Sequence, residues 1–273
     1  GGQEMHYRAP LVINAAGPWS RTFARRCSGD VPRLFPHGVL VWNLLLDRPQ
    51  LASCAVAVRS AKRSGHTYFL VPWRGQLLAG TGHQPIPAGE LRPPNRAEIV
   101  GMVDALNDAV PELNLSMKEV AKVFHGVMPG DPTGNLGSRP VLVDHGAEGG
   151  VKGFYSLSGV KYTTARAVAD QTLRRLFPAA KARRYGEDFV RPAAGAIRAN
   201  LPGLDETAAL KRMIEEESVW RLADLVLRRG ERRDAELSSS ALEGLMELVP
   251  QGTGGPDQIH EVREQTGLPW TST

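Results

Sequence analysis

Short apolar runs that end in turn-forming residues characterise the first 160 positions of the chain. The first run covers residues 11–16, Leu-Val-Ile-Asn-Ala-Ala, and Gly17-Pro18 follows it. An apolar run of this length that ends in a turn is typical of a buried strand. Proline suits the first turn of a helix because its fixed φ is helical. The pattern therefore predicts a strand, a tight turn and a helix over residues 11–27.

A series of β-rich runs separated by turn residues follows this unit. The runs cover residues 39–46, 54–58, 67–71 and 76–81, and three more strands are predicted over 119–127, 140–143 and 153–157. Closely spaced runs of this kind are typical of a mostly antiparallel sheet.

Helical periodicity interrupts the strands at two places. Asn95 and Glu98 have the spacing of a capping box, and apolar residues recur after them at the spacing of one helix face. This pattern predicts a helix of about four turns. A second, narrower apolar stripe begins at Ala165 and predicts a helix that ends before Pro178.

The composition changes after residue 178. Residues 179–205 are rich in Ala, Arg, Gly and Pro, which indicates a linker, and residues 206–267 contain only helical signals. We therefore expect a mixed domain of strands and helices over 1–178, a linker over 179–205 and a small helical domain over 206–273.

Composition and charge exclude several classes of protein. Hydrophobic residues make up 42% of the 273 positions and charged residues 23%, as in ordinary globular proteins. The net charge of +4 is small and its arginines are scattered, so no nucleic-acid partner is predicted. Cys27 and Cys54 lack the spacing of a disulfide framework, which favours a reducing, cytoplasmic location. No apolar run approaches the roughly 20 residues of a membrane span, and no histidine pair has metal-ligand spacing.

Two strand-to-helix turns are the first candidates for chemistry. One contains Ala15, Ala16 and Gly17, and the other follows Gly159. Small residues let a ligand approach the backbone, and a helix start offers unpaired N–H groups with a partial positive charge. Such a turn favours a phosphate, a carbonyl or a flavin edge. The alternative is an ordinary turn whose small residues serve packing.

Charged and polar residues near these turns are further candidates for a functional site. Lys161 lies in a first helical turn, where a cation opposes the helix dipole, so an anionic ligand would explain its position. Arg139 opens a strand and could bind a carboxylate or phosphate through its planar fork. The alternative for Lys161 is a solvated side chain without a ligand, and the alternative for Arg139 is a surface ion pair. Thr163 and Thr164 could bind a ligand or cap the helix. Three histidines flank the turns and could act as general bases or have no role: His83, His125 and His145.

Four ordered segments together resemble a known family. They are residues 11–19, Leu-Val-Ile-Asn-Ala-Ala-Gly-Pro-Trp; 69–75, Phe-Leu-Val-Pro-Trp-Arg-Gly, leading to Gly80-Thr81; 158–166, Ser-Gly-Val-Lys-Tyr-Thr-Thr-Ala-Arg; and the helical tail 216–229. Their order and spacing are similar to those of FAD-dependent glycerol-3-phosphate dehydrogenases and the wider D-amino-acid-oxidase-like flavoproteins. The resemblance implies an α/β (α+β) fold: a partial FAD-binding, glutathione-reductase-like domain with an antiparallel substrate-domain sheet, followed by a small all-α domain.

The resemblance also implies an activity. Such enzymes transfer a hydride from a small anionic secondary alcohol, such as glycerol 3-phosphate, to flavin N5 and pass electrons to a quinone or another acceptor. Lys161 and Arg139 would bind the anionic end of the substrate, and His125 completes the predicted catalytic set. The implied FAD-binding residues are Ala15, Ala16, Gly17, Gly159, Val160, Thr163 and Thr164.

This sequence departs from the family pattern at two places. Met128 stands where the family commonly has the arginine of Gly-Val-Arg-Pro, so another small hydroxy acid or amino acid is an alternative substrate. The Gly-x-Gly-x-x-Gly unit that holds the FAD pyrophosphate is absent from the sequence. The chain therefore resembles the C-terminal two-thirds of such an enzyme, and we expect it to be inactive alone.

A non-catalytic binding module is the remaining alternative. The arginine pairs 228–229 and 232–233 lie beside an apolar helix face and could contact an anionic membrane surface. This alternative predicts a peripheral location on the inner face of the membrane.

Overall fold

The computed structural model describes residues 6–29, 33–59, 66–179, 206–217, 219–229, 237–250 and 257–266. The chain divides into two compact units, Gly1–Ala180 and Lys181–Thr273. The predicted linker over 179–205 lies outside the described residues except for Ala179.

The first unit combines strands with three α-helices among its described residues. In chain order the strands are Val12–Asn14 (β1), His37–Leu46 (β2), Val56–Arg59 (β3), Thr67–Trp73 (β4), Gln76–Pro87 (β5), Val120–Gly130 (β6), Val141–Asp144 (β7) and Phe154–Ser158 (β8). The helices are Ser20–Ser28 (α1), Arg96–Ala109 (α2) and Ala165–Leu176 (α3). Short 3-10 helices cover Gly17–Trp19, Pro111–Leu113, Met117–Glu119 and Tyr162–Thr164. The mixed fold predicted from the sequence is confirmed.

The larger of the two sheets is five-stranded and antiparallel, with the strand order β3-β4-β5-β2-β6. The interior strand β2, which lies between β5 and β6, is almost continuously apolar, and Leu40, Leu44 and Leu46 are fully buried. Burying a side chain of this size contributes about 1.5–3 kcal/mol, so these three leucines stabilise the sheet. β6 extends three residues beyond the predicted end at position 127, because β2 continues to pair with it as far as Gly130.

The helix α2 begins where the sequence indicates. The Asn95 side chain accepts a hydrogen bond from the Glu98 backbone N–H at 2.9 Å, and the Glu98 carboxylate accepts one from the Asn95 N–H at 2.7 Å. This reciprocal pair is the predicted capping box, and it satisfies two N–H groups that have no partner within the helix. The buried face of α2 consists of Ile99, Met102, Val103, Ala105 and Leu106.

The smaller sheet is three-stranded, in the order β1-β8-β7. β1 runs parallel to β8, with Val12 opposite Phe154 and Asn14 opposite Ser156, whereas β7 runs antiparallel to β8. The predicted strand-turn-helix unit is present as β1, the 3-10 helix and α1. The second predicted unit, which leads from Gly159 into a helix, follows β8.

The secondary-structure elements among the described residues of the second unit are all helices. They are Glu206–Glu216 (α4), Leu222–Arg228 (α5), Ser239–Leu248 (α6) and Asp257–Thr266 (α7). The short helix α5 is apolar on both sides, because Leu225 packs into one cluster with α4 while Leu222 and Val226 pack into another with α6 and α7. Among the residues that the structure describes, no helix has both the length and the apolar character needed to cross a bilayer.

Candidate functional site

The two turns selected from the sequence lie at the same edge of the three-stranded sheet. Because β1 and β8 are parallel neighbours, their carboxyl ends meet at one edge, and the Gly17 and Gly159 turns both leave from it. In open sheets with parallel strands, ligands bind outside the carboxyl ends of the strands. The structure therefore brings the two predicted FAD-binding segments together.

A buried asparagine fixes the first turn. The side-chain oxygen Oδ1 of Asn14 accepts a hydrogen bond from the Ala16 N–H at 3.2 Å, and the side-chain Nδ2 donates to the Ser20 carbonyl at 2.8 Å. Gly17 has a φ of +60°, which disfavours any side chain, and a Cβ there would meet no atom within 4 Å. Ala15 and Ala16 are exposed. The backbone of this turn is therefore both held in place and accessible to a ligand.

The second turn presents exposed polar residues. Gly159, Lys161 and Thr163 are exposed, Val160 is buried, and a Cβ at Gly159 would meet no atom within 4 Å. The Thr164 hydroxyl donates to the Lys161 carbonyl at 3.0 Å, and the Thr164 N–H donates to the same oxygen at 3.2 Å. Thr164 thus closes the turn before α3, but its side chain makes no capping hydrogen bond to the helix and stays exposed.

The loop that carries Arg139 is fastened beside the second turn. The Gly137 N–H donates to the Pro129 carbonyl at 3.0 Å, which ties the loop to the end of β6. Gly137 also packs against the second turn, since a Cβ there would lie 2.8 Å from Val160 Cγ1. β6 in turn lies beside Gly17–Trp19. Arg139, which is exposed, therefore projects from a loop that adjoins the second turn.

Met128 and His125 lie on opposite faces of β6. Side chains alternate along a strand, and these two residues are three positions apart. His125 pairs with Trp42 and so shares the face on which Trp42 is buried, whereas Met128 pairs with Val39 on the other face. Because β6 is an edge strand, the exposed His125 is reachable from the edge of the sheet. Its role as a base stays a prediction.

A buried polar network behind the first turn was not found from the sequence. The Asn14 amide donates to the Ser156 hydroxyl at 2.9 Å, and the Ser156 hydroxyl lies 2.8 Å from His145 Nε2. The His145 ring stacks on Phe154 with centroids 4.4 Å apart. Burial lowers the pKa of His145 below its ordinary value of 6.5, and the Glu148 and Asp144 carboxylates oppose this shift. The sequence indicates only that His145 follows a predicted strand, and it gives no sign of the buried partners of this ring.

His83, another of the candidate bases, lies on β5 of the five-stranded sheet and is half-buried. It is opposite Val41 in the register, and its ring centroid is 4.6 Å from that of His66. His66 Nε2 is 2.8 Å from the Thr81 carbonyl oxygen, so this nitrogen carries the hydrogen and donates. Burial, and then the charge of His66, lower the pKa of His83. In the described part of the chain, no three potential metal ligands cluster.

The arginines considered for a membrane surface have partners in the second unit. Arg229 donates to the Glu217 carboxylate at 2.9 Å and to the Glu217 carbonyl at 2.6 Å, and Arg228 donates to Asp224 at 3.1 Å. These pairs give the membrane hypothesis no support. The second arginine pair, 232–233, lies outside the described residues.

Comparisons with known proteins identify relatives of this chain. Residues 1–175 match the family described as DAO, FAD dependent oxidoreductase. A mitochondrial glycerol-3-phosphate dehydrogenase of Arabidopsis thaliana is 26% identical over 174 residues, covering 63% of this chain and 27% of that protein. One polypeptide of the anaerobic glycerol-3-phosphate dehydrogenase of Escherichia coli is 28% identical over 253 residues, covering 88% of this chain and 43% of that protein. The chain therefore spans less than half the length of these relatives.

A solved structure is also similar to this chain. It is the glycerol-3-phosphate dehydrogenase of Bacillus halodurans complexed with FAD, with a TM-score of 0.49 and 21% identity, covering 62% of this chain and 32% of that one.

Proposed function

Because the chain belongs to the DAO family of FAD-dependent oxidoreductases, we propose that its two turns form part of a flavin site at which a small anionic secondary alcohol, such as glycerol 3-phosphate, is oxidised. The parallel pairing of β1 with β8 carries this proposal, because it sets the Gly17 and Gly159 turns side by side at one sheet edge. The names of the Arabidopsis and Escherichia coli relatives support the choice of substrate.

The residues at this edge fit a flavin. Both glycines face open space, so a planar ring system can approach the backbone without a side chain in the way. Ala15, Ala16 and Gly17 would hold the cofactor from one turn, and the segment 159–164 would hold it from the other. When bound, FAD supplies a two-electron acceptor that takes a hydride at N5.

Two cations of this chain would bind the substrate anion. Lys161 belongs to the second turn and Arg139 to the loop fastened against it, so both lie near the proposed flavin site. Charge-assisted hydrogen bonds from ammonium and guanidinium groups are short and strong, and arginine can bind a phosphate or carboxylate through two of them. We propose His125, at the edge of the sheet, as the base that accepts the hydroxyl proton.

Met128 bears on the charge of the substrate anion. A thioether cannot form an ion pair, so position 128 offers one cation fewer than the family pattern. A small hydroxy acid or amino acid, whose carboxylate carries less charge than a phosphate, is the second candidate substrate.

The 273 residues contain no Gly-x-Gly-x-x-Gly sequence. We infer that the FAD pyrophosphate would be held by polypeptide outside them, and that this chain alone binds FAD weakly and turns over no substrate. Absorbance near 450 nm after purification tests this inference, since stoichiometric flavin in the isolated chain would contradict it.

The substrate is tested with the protein expressed from its complete reading frame and loaded with FAD. Anaerobic bleaching of the flavin by glycerol 3-phosphate, and not by 2-hydroxy acids or amino acids, is the expected result. Bleaching by none of these substrates would overturn the proposed function.

Substitutions of Lys161 and Arg139 test their roles in the same experiment. Lys161→Ala and Arg139→Ala should each raise KM about tenfold or more, because a hydrogen bond to a charged group contributes about 1.5–3 kcal/mol. Lys152→Ala is a matched control, since this exposed lysine precedes the amino end of β8, away from the turns. Unchanged KM values in both cation variants would exclude these residues from the site.

A further inference from the structure

We propose that His145 is a positioning residue for the turn at Gly17, acting on it through Ser156 and Asn14. The inference rests on the proposed function, and it names the residues that hold one wall of the flavin site in place. His145 is linked to the turn by hydrogen bonds that pass through the other two side chains.

The three side chains form a continuous buried path. His145, Ser156 and Asn14 are 2%, 0% and 6% exposed. From Asn14 the path reaches the turn at two points, the Ala16 N–H and the Ser20 carbonyl. Because these bonds lie on both sides of Gly17, a change in the Asn14 side chain alters the geometry of the whole turn.

The chemistry of the groups fixes the direction of each hydrogen bond. The Asn14 amide nitrogen only donates, so the Ser156 oxygen accepts its hydrogen. In the described part of the chain, the other group bonded to the Ser156 hydroxyl is His145 Nε2. The hydroxyl hydrogen is therefore satisfied when His145 is neutral, with Nε2 unprotonated as the acceptor and the proton on Nδ1.

Protonation of His145 reverses this arrangement. Nε2 then carries a hydrogen, and the Ser156 oxygen has to accept from both neighbours while its own buried hydrogen loses its acceptor. The charged groups that act on His145 are the carboxylates of Asp144 and Glu148, and Glu148 also pairs with Arg33. Burial outweighs these carboxylates, so the neutral form, which the network requires, is favoured.

The first experiment uses the chain without FAD. In the NMR spectrum, the His145 ring nitrogen shifts should report the Nδ1–H tautomer, and the Ala16 amide should move with the titration of His145 as the pH falls. Two results would overturn the proposal. One is a His145 ring in the Nε2–H tautomer at neutral pH, and the other is an Ala16 amide chemical shift that does not change as His145 titrates. This measurement needs no substitution, so it does not depend on a variant that folds.

A variant and a matched control extend the test. Ser156→Ala should increase hydrogen exchange at the Ala16 amide about tenfold, the effect expected from loss of a supporting hydrogen bond. Thr172→Val removes another buried hydroxyl, which donates to the Val168 carbonyl within α3, and it should leave Ala16 exchange unchanged. Equal exchange in wild type and Ser156→Ala would contradict the role of Ser156.

FAD affinity separates this inference from the proposed function. In the protein expressed from its complete reading frame, Ser156→Ala should raise the FAD dissociation constant about tenfold, and Thr172→Val should not. If the wild-type protein binds no FAD, the proposed function fails, but the NMR experiment still tests whether His145 is coupled to the turn at Gly17. If wild type and Ser156→Ala bind FAD equally, the proposed function stands and this inference fails.

Discussion

The indole ring of Trp42 on β2 packs directly against the α-carbon of Gly82 on β5. The two residues are opposite each other in the antiparallel register, and a Cβ at Gly82 would lie 2.7 Å from Trp42 Cζ2. Trp42 is 4% exposed, so its ring fills the space that a side chain at position 82 would need. The spacing of these two central strands therefore depends on a glycine at this position.

We predict that Gly82→Ala destabilises the first unit by about 1–3 kcal/mol or more, because overpacking forces neighbouring side chains or strands to shift. Urea-dependent hydrogen exchange in peptides from β2 and β5 measures this loss. Gly126→Ala on the neighbouring strand β6 is the control, since a Cβ there meets no atom within 4 Å. Equal stability of the two variants would show that the strands adjust freely.

The capping box of α2 predicts a second, smaller effect. Asn95→Ala should reduce the free energy of unfolding by about 0.5–2 kcal/mol, because the Glu98 N–H loses its acceptor. Asn95→Ser keeps a hydroxyl acceptor and should retain most of the stability. Hydrogen exchange in peptides from α2 distinguishes the two variants. An equal loss of unfolding free energy in Asn95→Ala and Asn95→Ser would exclude the side-chain cap as the cause.

His83 should titrate below its ordinary pKa of 6.5, because burial and the nearby His66 disfavour its charged form. The unfolded chain therefore binds more protons than the folded chain as the pH falls below 6.5. The contribution of His83 to stability is complete above that value and decreases toward its lowered folded pKa. NMR titration of the ring protons, assigned with His83→Gln, measures the shift.

A substitution at His66 separates the two causes. His66→Gln keeps a donor for the Thr81 carbonyl and removes the titrating charge, so the pKa of His83 should rise. A value that stays the same or falls would leave burial as the single cause.

The two adjacent arginines of the helical unit should differ sharply in their effect on stability. Arg229 is mostly buried and bonds both the carboxylate and the carbonyl of Glu217, whereas Arg228 is 73% exposed in its pair with Asp224. Arg229→Ala should cost about 1.5–3 kcal/mol, and Arg228→Ala no more than about 0.5 kcal/mol. Hydrogen exchange in peptides from α5 reports both losses. A larger loss for Arg228→Ala would contradict this assignment.

Features that depend on neighbours in the sequence were predicted well. The capping box of α2 was predicted because Asn95 and Glu98 are three residues apart, and the Gly17 turn because an apolar run leads directly into Gly-Pro. The ends of the strands were predicted less well. β6 continues to Gly130 because its partner β2 continues, and that partner lies more than 80 residues away in the sequence.

The sequence by itself determined the types of most elements and, through the order of four segments, the family. The tertiary structure alone decided that Asn14 and Ser156, 142 residues apart, pair across parallel strands, and that His145 is buried behind them. It also decided that His125 and Met128 face opposite sides of β6. The physical reason is that periodicity and capping follow from bonds within a few residues, whereas pairing between distant strands follows from the packing of the whole unit.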